Sequence, residues 1–244
     1  MGDLTLVQCY YDQPKLVTRW WDAIRTWPKE LADKVSILWV DDGSPTHPLR
    51  LPDDIKADWR PRLFRVKQDI LWNEMGARNL AMKQASGWVL CLDADYTLPA
   101  ESLQHVLSPA FRPQRRHLYF PPARRFGKTE HLHHPVNLFF IHAEDFWQAN
   151  GYDEAFAGGY GLSDTDLLRT LSMGFHVKMR KLQNVWIDHY QIDQEPDAYV
   201  HWKDRSLARN SALFKSKIAA MQKHGIKRII AQNKHLQFDW EEIK

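Results

Sequence analysis

Short apolar runs that alternate with helical patterns constrain the fold of the first hundred residues. Four such runs have the length and content of buried strands, at 4–9, 35–40, 63–66 and 88–92. Between them, 15–31 and 74–85 carry apolar residues at helical spacing, and Pro28 interrupts the first of these patterns. Strands separated by helices of this length favour right-handed crossovers and a mostly parallel sheet. We therefore predict an α/β fold with a central sheet flanked by helices.

The second half of the chain is less regular. Strands are predicted near 118–120, 138–141 and 175–180, and a helix begins near Ser163. From 204 to about 232 the sequence is mainly helical and basic. We interpret residues 1–200 as one domain and residues 201–244 as a basic helical extension packed on it.

Composition narrows the class of protein. A chain of 244 residues with 44% hydrophobic content can bury a core without disulfides or metal. Its two cysteines, Cys9 and Cys91, lie in apolar runs and have no metal or redox spacing, so they read as buried thiols. No signal peptide and no transmembrane segment is predicted, so we expect a soluble, cytoplasmic protein. The net charge of +3 is mild, and basic residues crowd at 112–128 and 203–234, where solvated surface is the commoner reading.

An acidic triplet, Asp93-Ala94-Asp95, follows the strand at 88–92. Ligands bind open α/β sheets at the carboxyl ends of the strands, and two carboxylates there can hold a hard divalent cation. A lone Asp-x-Asp is more often a solvated turn, so the triplet gains weight only from its neighbours.

Four motifs occur in a specific order. They are Val40-Asp41-Asp42-Gly43-Ser44; Asn73-Glu74-Met75-Gly76-Ala77-Arg78-Asn79; Leu92-Asp93-Ala94-Asp95; and Gly151-Tyr152-Asp153-Glu154-Ala155-Phe156, which continues through Gly158-Gly159-Tyr160-Gly161-Leu162-Ser163-Asp164-Thr165-Asp166-Leu167. Together, over about residues 4 to 190, they resemble family 2 of the inverting glycosyltransferases and the related galactosyltransferase-type domains. The resemblance implies the GT-A fold, which has a Rossmann-like sheet.

The resemblance also implies a set of donor-nucleotide contacts. Asp42, with Asp41 as the second choice, is expected to accept a hydrogen bond from a uracil-type imino group. Arg78 is expected to approach the nucleotide or its phosphates, and Asp93 the ribose. An Asp-Gly turn and a helix-surface arginine are the ordinary alternatives. At the end of the first strand, Tyr10 and Asp12 complete the predicted set.

A metal site is the next implication. Asp95 corresponds to the carboxylate that binds Mn²⁺ or Mg²⁺, through which the diphosphate is held. His189 follows an apolar run at about the position of a further metal ligand in some relatives, although a lone histidine is more often a packed or surface residue. The cluster of His131, His133 and His134 matches no family motif, and we interpret it as a mobile loop near the donor phosphates or the acceptor.

The catalytic base implied by the resemblance is Asp164. Inverting transfer needs a carboxylate on the acceptor side, and Asp164 falls on that position of the family motif. Ser163 replaces the glutamate that usually precedes the base in the family, a departure that changes the side chain offered to the acceptor. Ser163 and Asp164 are also good helix caps. Trp72, Tyr160 and Ser163 are predicted to contact the sugar or the acceptor.

These residues predict a metal-dependent, inverting glycosyltransferase that uses a nucleoside diphosphate sugar, with UDP favoured, and a hydroxyl acceptor on a glycan or other polymer. Three alternatives stay open. A glycosyltransferase acting on modified nucleic-acid bases would use the basic C-terminal helix. A nucleotidyltransferase shares the sheet and the acidic ligands, but usually has a Gly-rich basic loop where this chain has Cys9-Tyr10-Tyr11-Asp12-Gln13-Pro14. A non-catalytic sugar-binding domain is the third.

Overall fold

The computed structural model describes residues 4–128, 135–190 and 205–244. Its strands are β1 (Leu4–Tyr10), β2 (Val35–Asp41), β3 (Arg62–Val66), β4 (Trp88–Leu92), β5 (Tyr96–Thr97), β6 (His117–Phe120), β7 (Ala123–Arg125), β8 (Phe139–His142), β9 (Lys178–Lys181), β10 (Ile187–His189) and β11 (Trp240–Ile243). Its α-helices are α1 (Pro14–Arg25), α2 (Asp53–Trp59), α3 (Glu74–Gln84), α4 (Ala100–Leu107), α5 (Ala143–Gln148), α6 (Ser163–Arg169), α7 (Ala208–His224) and α8 (Ile226–Ile230). The histidine cluster at 131–134 and the predicted domain boundary at residue 200 lie outside the described residues.

The central sheet has eight strands in the order β11-β3-β2-β1-β4-β8-β6-β9. The four strands predicted first in the sequence, β1 to β4, pair in parallel, and α1 and α3 connect them as crossovers. Beyond β4 the sheet is mixed, because β8 runs antiparallel to both of its neighbours. The predicted α/β class is confirmed, and the parallel half of the sheet is the part that the first hundred residues build.

A smaller sheet of three strands, β5-β10-β7, joins the chain just after the acidic triplet to a distant segment. β10 pairs antiparallel with β5, which sets His189 opposite Tyr96. The backbone N–H of Tyr190 donates to the carbonyl of Asp95 at 2.9 Å. This pairing brings residues almost a hundred positions apart to the same edge.

The hydrophobic core lies on both faces of the central sheet. On one face, α1 packs four tryptophans together: Trp20, Trp27, Trp39 and Trp59. On the other, α3 packs against Val7, Val40 and Cys91. The periodicity that predicted Trp20, Trp21, Trp27 and Trp39 as core residues is confirmed, since each is at most 5% exposed. Each large apolar side chain buried in this way stabilises the fold by about 1.5–3 kcal/mol.

Two predicted elements have different bounds. The helical pattern at 15–31 breaks at Arg25, and after Pro28 the chain continues as a 3₁₀ helix, Lys29–Lys34. The strand predicted at 175–180 begins only at Lys178, because the helix before it continues as a π-helical turn, Thr170–Gly174. Neither difference moves a predicted site residue.

The C-terminal extension contains the predicted helices, α7 and α8, and also ends in a strand. β11 pairs antiparallel with β3 and forms one edge of the central sheet, with Trp240 opposite Val66. The Arg62 guanidinium binds Glu242 across this pair, with Nε to Oε1 at 2.7 Å. Because β11 is an exposed, charged edge strand of four residues, its sequence lacks the apolar run that predicted the other strands.

No helix in the described ranges 4–128, 135–190 and 205–244 combines the length and the apolar content that crossing a lipid bilayer requires.

Candidate active site

A cavity of about 490 Å³ opens at the carboxyl ends of β1, β2 and β4. Its wall includes the predicted site residues Asp42, Asp93, Asp95 and Asp164, together with Tyr10. This is the edge at which open α/β sheets bind ligands. The loop before α6 closes the opposite side, so one cavity joins the predicted donor contacts to the predicted base.

Asp41 and Asp42 are adjacent in sequence but differ in what they contact. Asp41 is buried away from the cavity wall, where it accepts hydrogen bonds from the backbone N–H of Ser44 at 3.0 Å and of Leu49 at 2.9 Å. Asp42 lies on the wall and accepts from Asn73 Nδ2 at 2.7 Å. Burial raises the pKa of Asp42, although the amide of Asn73 opposes this. Asp41 therefore shapes the turn, and only Asp42 can reach a ligand.

Gly43 makes that turn possible. Its φ of +77° is in the left-handed region, and a Cβ there would collide with the carbonyl oxygen of Gln68. Only glycine meets both conditions without a shift of the backbone.

Tyr10 and Asp12 also differ in placement. Tyr10 is on the cavity wall, and its hydroxyl donates to the carbonyl of His47 at 2.7 Å. Asp12 is 3% exposed and is not part of the wall. It accepts from the backbone N–H of His47, and its own N–H donates to Ser44 Oγ at 2.9 Å. The nucleotide contact of Asp12 stays a prediction, and in the structure Asp12 ties the end of β1 to the turn after β2.

Arg78 lies beneath the cavity, since its side chain is 1% exposed and is not part of the wall. Its guanidinium bonds Asp93, Asp164 Oδ1 at 3.0 Å, the Tyr152 hydroxyl at 2.7 Å and Glu74 Oε1 at 2.7 Å. Burial by itself would lower the pKa of Arg78, but Glu74, Tyr152 and Asp93 raise it by more than burial lowers it. The net pKa is raised, so the guanidinium stays a cation. The contact of Arg78 with the phosphates stays a prediction, and in the structure Arg78 joins the carboxylates of the two sides of the cavity.

Asn137 lies at the site but was not predicted from the sequence. Its Nδ2 donates to Asp93 Oδ2, while Arg78 binds Asp93 Oδ1. Both oxygens of Asp93 are therefore held, which fixes the carboxylate at the cavity wall. Asn137 follows the histidine-rich segment, and no motif or periodicity marks it.

Asp95 and His189, the two predicted metal ligands, lie next to each other. His189 Nε2 lies 3.4 Å from Asp95 Oδ2, and the Tyr96 ring packs against the imidazole with centroids 4.6 Å apart. His189 Nδ1 is buried without a hydrogen-bond partner in the described structure. Within the described residues no group of three His, Cys, Asp or Glu side chains is placed to hold a metal. A carboxylate and an imidazole nevertheless fit Mn²⁺ or Mg²⁺, which commonly keep several positions for water and phosphate oxygens.

Asp164 sits in the first turn of α6 and lines the cavity. Its Oδ1 accepts from the Tyr152 hydroxyl at 2.7 Å and from Arg78 Nη1 at 3.0 Å. The expectation that Ser163 or Asp164 caps this helix is wrong, because the N-cap is Leu162, at φ +68°, whose apolar side chain makes no capping hydrogen bond. Released from capping, the Asp164 carboxylate is 23% exposed, toward the cavity.

The other carboxylates near α6 are engaged elsewhere. Lys217 Nζ binds Asp153 Oδ2 at 2.7 Å and Asp166 Oδ2 at 2.5 Å. Neither carboxylate is part of the cavity wall. Burial raises the pKa of Asp166, and the Lys217 ammonium offsets part of that rise. Among these three carboxylates, Asp164 alone faces the cavity.

An aromatic surface forms the remaining wall. Trp72 and Tyr160 meet edge to face with ring centroids 4.9 Å apart, and both line the cavity with Ser163. The Arg205 guanidinium lies 5.2 Å from the Tyr160 ring centroid, also on the wall. The three predicted sugar or acceptor contacts are thus brought together on the side that carries Asp164.

The chain is similar to one known protein family and to several solved structures. Its sequence matches the model of glycosyl transferase family 2 over residues 5–171. Comparison with curated proteins gives no significant match. Among solved structures, S. aureus TarS 1–349 in complex with UDP-GlcNAc is similar with a TM-score of 0.60 and 13% identity, over 81% of this chain and 62% of that one.

Two other similar structures carry a metal. GalNAc-T7 with UDP, GalNAc and Mn²⁺ has a TM-score of 0.62 and 15% identity, over 78% of this chain and 44% of that one. The mannosyltransferase PcManGT from Pyrobaculum calidifontis, with GDP-Man and Mn²⁺, has a TM-score of 0.59 and 16% identity, over 95% of this chain and 70% of that one. The chain spans 60%, 37% and 44% of the lengths of the first three structures it matches.

At these identities the structural likeness establishes the fold, which is the GT-A fold predicted from the four motifs. The family model covers more than half of the chain and runs from β1 into the helical segment that carries Asp164. The chain therefore belongs to glycosyl transferase family 2.

Proposed function

We propose that this protein transfers a sugar, with inversion, from a nucleoside diphosphate donor to an acceptor hydroxyl. One observation carries the proposal: Asp42, Asp93 and Asp95 line the same cavity as Asp164, at the carboxyl edge of the sheet. A transferase needs both a site that holds the donor and a base that faces the acceptor, and the two must open into a common space.

The donor side is formed by strand ends. Asp42 accepts a hydrogen bond from the base and Asp93 from the ribose, with Tyr10 beside them on the wall. UDP is the first choice of nucleotide, supported by TarS with UDP-GlcNAc and GalNAc-T7 with UDP, whereas PcManGT holds GDP-Man. Both nucleotides therefore belong in the test.

Asp95 and His189 hold Mn²⁺ or Mg²⁺ in this proposal. Support comes from their proximity, 3.4 Å between Nε2 and Oδ2, and from the Mn²⁺ in two of the similar structures. When bound by these two residues, the cation would supply Lewis-acid stabilisation of negative charge on the diphosphate. The pairing of β10 with β5 places His189 beside Asp95, and the Asp95 carboxylate lines the cavity in which the diphosphate would be oriented.

Asp164 is the proposed base. Tyr152 and Arg78 both bind Oδ1, and Oδ2 makes no hydrogen bond within the described structure. Oδ2 takes the proton of the acceptor hydroxyl as the hydroxyl oxygen bonds to the anomeric carbon and the bond from that carbon to the diphosphate oxygen breaks. One displacement of this kind inverts the anomeric configuration. The acceptor approaches along the wall of Trp72, Tyr160 and Ser163.

The other functions considered from the sequence have less support. A non-catalytic domain would not need a carboxylate held by two donors and turned to the cavity, as Asp164 is. The described structure and the similar proteins give no observation that favours nucleotidyl transfer or a nucleic-acid acceptor, and we propose neither.

A donor-hydrolysis screen tests the proposal, because slow hydrolysis uses water in place of the acceptor. The full chain is incubated with Mn²⁺ and a set of UDP- and GDP-sugars, and the released sugar is followed by proton NMR. We expect one donor to be hydrolysed, with the inverted anomer appearing first. First release of the retained anomer would contradict inversion, and the absence of turnover for every donor, with nucleotide still bound, would contradict the enzyme.

A further inference from the structure

Helix α7 lies outside the segment that matches the family model, yet it contacts the loop that leads to the proposed base. We call residues 153–162 the base loop, since α6 and Asp164 follow it directly. The loop also carries Tyr160 and two glycines of the cavity wall, Gly159 and Gly161.

Asn210, in the first turn of α7, is fully buried against the base loop. Its Nδ2 lies within hydrogen-bonding distance of three backbone carbonyls, those of Gly159 at 2.8 Å, Gly161 at 2.9 Å and Phe156 at 3.2 Å. A Cβ on Gly159 would lie 2.8 Å from Asn210 Oδ1, so the loop backbone and the amide are in close contact. One side chain therefore satisfies carbonyls across half of the loop.

The loop needs such a partner because its own backbone forms little regular structure. Buried carbonyls outside helices and strands must find a donor elsewhere. Gly158, Gly161 and Leu162 all have positive φ, of +84°, +77° and +68°. A leucine rarely adopts this region, so the surrounding contacts must enforce it. Asn210 bonds the carbonyl of Gly161, which is the residue directly before Leu162.

Lys217 holds the two ends of the same segment. Its ammonium, on a side chain 5% exposed, binds Asp153 at the start of the base loop and Asp166 in the first turn of α6, at 2.7 Å and 2.5 Å. Asp153 and Asp166 bracket Asp164, and Asn210 contacts the residues between. α7 thus fixes both ends and the middle of the segment that carries the proposed base.

We infer that α7 positions the base, and that Asn210 is a positioning residue for Asp164 and Tyr160. This inference rests on the proposed function for the role of Asp164. The donor side of the cavity is formed by strand ends of the central sheet, so loss of the Asn210 contacts alters the chemical step and leaves donor binding intact.

The test compares Asn210→Ala with Met221→Ala in the full chain. Met221 is buried on the same helix, one turn beyond Lys217, and its side chain makes none of these polar contacts, so its truncation controls for weakened packing of α7. Three quantities are measured: turnover of the donor found in the hydrolysis screen, affinity for UDP with Mn²⁺, and hydrogen exchange of the peptide covering 153–162. If Asn210→Ala does not fold, Asn210→Ser, which keeps one donor, takes its place.

We expect Asn210→Ala to lower kcat by about tenfold to a hundredfold, the effect of a misplacement near 1 Å, with UDP affinity changed by less than about threefold. Exchange of the base loop should be faster than in Met221→Ala. Equal kcat values in the two variants, or equal exchange of the loop, would overturn the inference. A wild type without turnover would refute the proposed function instead, and loop exchange, which needs no activity, would then decide whether α7 holds the loop.

Discussion

The two sides of the cavity are built in different ways. The donor side consists of residues at the ends of parallel strands, Asp42, Asp93 and Asp95, each directly after or near an apolar run that is buried in the central sheet. The base side consists of a loop with three positive φ angles, held by side chains of a helix about fifty residues further along the chain. The ends of predicted strands place the carboxylates of the first side, whereas long-range polar contacts of α7 place the loop of the second.

This difference predicts how substitutions on each side affect binding and stability. Residues of the donor side are anchored by the sheet, so substitutions there should affect ligand binding more than folding. On the base side, the same buried groups hold the loop and stabilise the fold, so stability and activity should change together unless the substitution is isosteric.

The largest expected effect is on stability, from Lys217→Met. Removing the ammonium leaves the buried Asp166 and the partly buried Asp153 without their partner, and breaking a buried ion pair costs about 3–5 kcal/mol. Urea unfolding measures the change. Lys215→Met, an exposed position on the same helix, is the matched control. Coincident unfolding curves for the two variants would show that Lys217 does not fasten α7 to the loop.

The same variant has a predicted pH dependence. Burial raises the pKa of Asp166, and Lys217 is what opposes that rise. Without Lys217, the pKa of Asp166 in the folded state lies further above its pKa in the unfolded chain. The folded state therefore binds more protons at Asp166, and the variant regains stability as the pH falls toward the ordinary carboxyl pKa. Urea midpoints at neutral and mildly acidic pH check this. A further loss on acidification would be the opposite sign.

A smaller effect is expected for Asp95→Ala and His189→Ala on the donor side. Each removes one proposed metal ligand, so affinity for UDP in the presence of Mn²⁺ should fall by about a hundredfold or more, with little change in unfolding. Calorimetric titration with and without Mn²⁺ measures it. Asp22→Ala, on the exposed face of α1, is the control. Unchanged Mn²⁺-dependent affinity in both variants would remove the metal assignment.

The smallest expected effect is that of Gly43→Ala on UDP binding, on the donor side. The new Cβ would meet the Gln68 carbonyl, so the turn must shift and Asp42 with it, at a cost of about 1–3 kcal/mol. Gly127→Ala is the matched control, because Gly127 has a similar φ of +69° and nothing within 4 Å of the added atom. We expect Gly43→Ala to weaken UDP binding and Gly127→Ala to leave it unchanged. Equal effects would mean that steric contact at the turn does not position Asp42.

The strand-end positions of Asp42, Asp93 and Asp95 could be predicted from the sequence because their signals are local. Apolar runs identified β1, β2 and β4, and the acidic residues at their ends followed from the geometry of parallel sheets. The resemblance to the family also indicated Asp164, and the pairing of His189 with Asp95 could be anticipated only from that resemblance.

The base side was harder to predict. Asn210 and Lys217 contact residues about fifty positions away, and neither belongs to a motif. Arg78 read as a surface or phosphate-binding arginine, because the carboxylates that surround it come from three separate segments. β11 was not predicted, because an exposed edge strand needs few apolar residues. Contacts of this kind depend on the completed fold and leave no periodic pattern in the sequence.

The separation of donor binding from base chemistry is the central claim, and Asp164→Asn tests it most directly. The amide keeps the size of the side chain and an acceptor for Tyr152, so the fold should hold, but it cannot take a proton. Turnover and UDP affinity with Mn²⁺ are measured on the same preparation. We predict a fall in kcat of about two to four orders of magnitude with donor affinity nearly unchanged. Near wild-type turnover, or a parallel loss of UDP binding, would contradict the division of the cavity into a donor side and a base side.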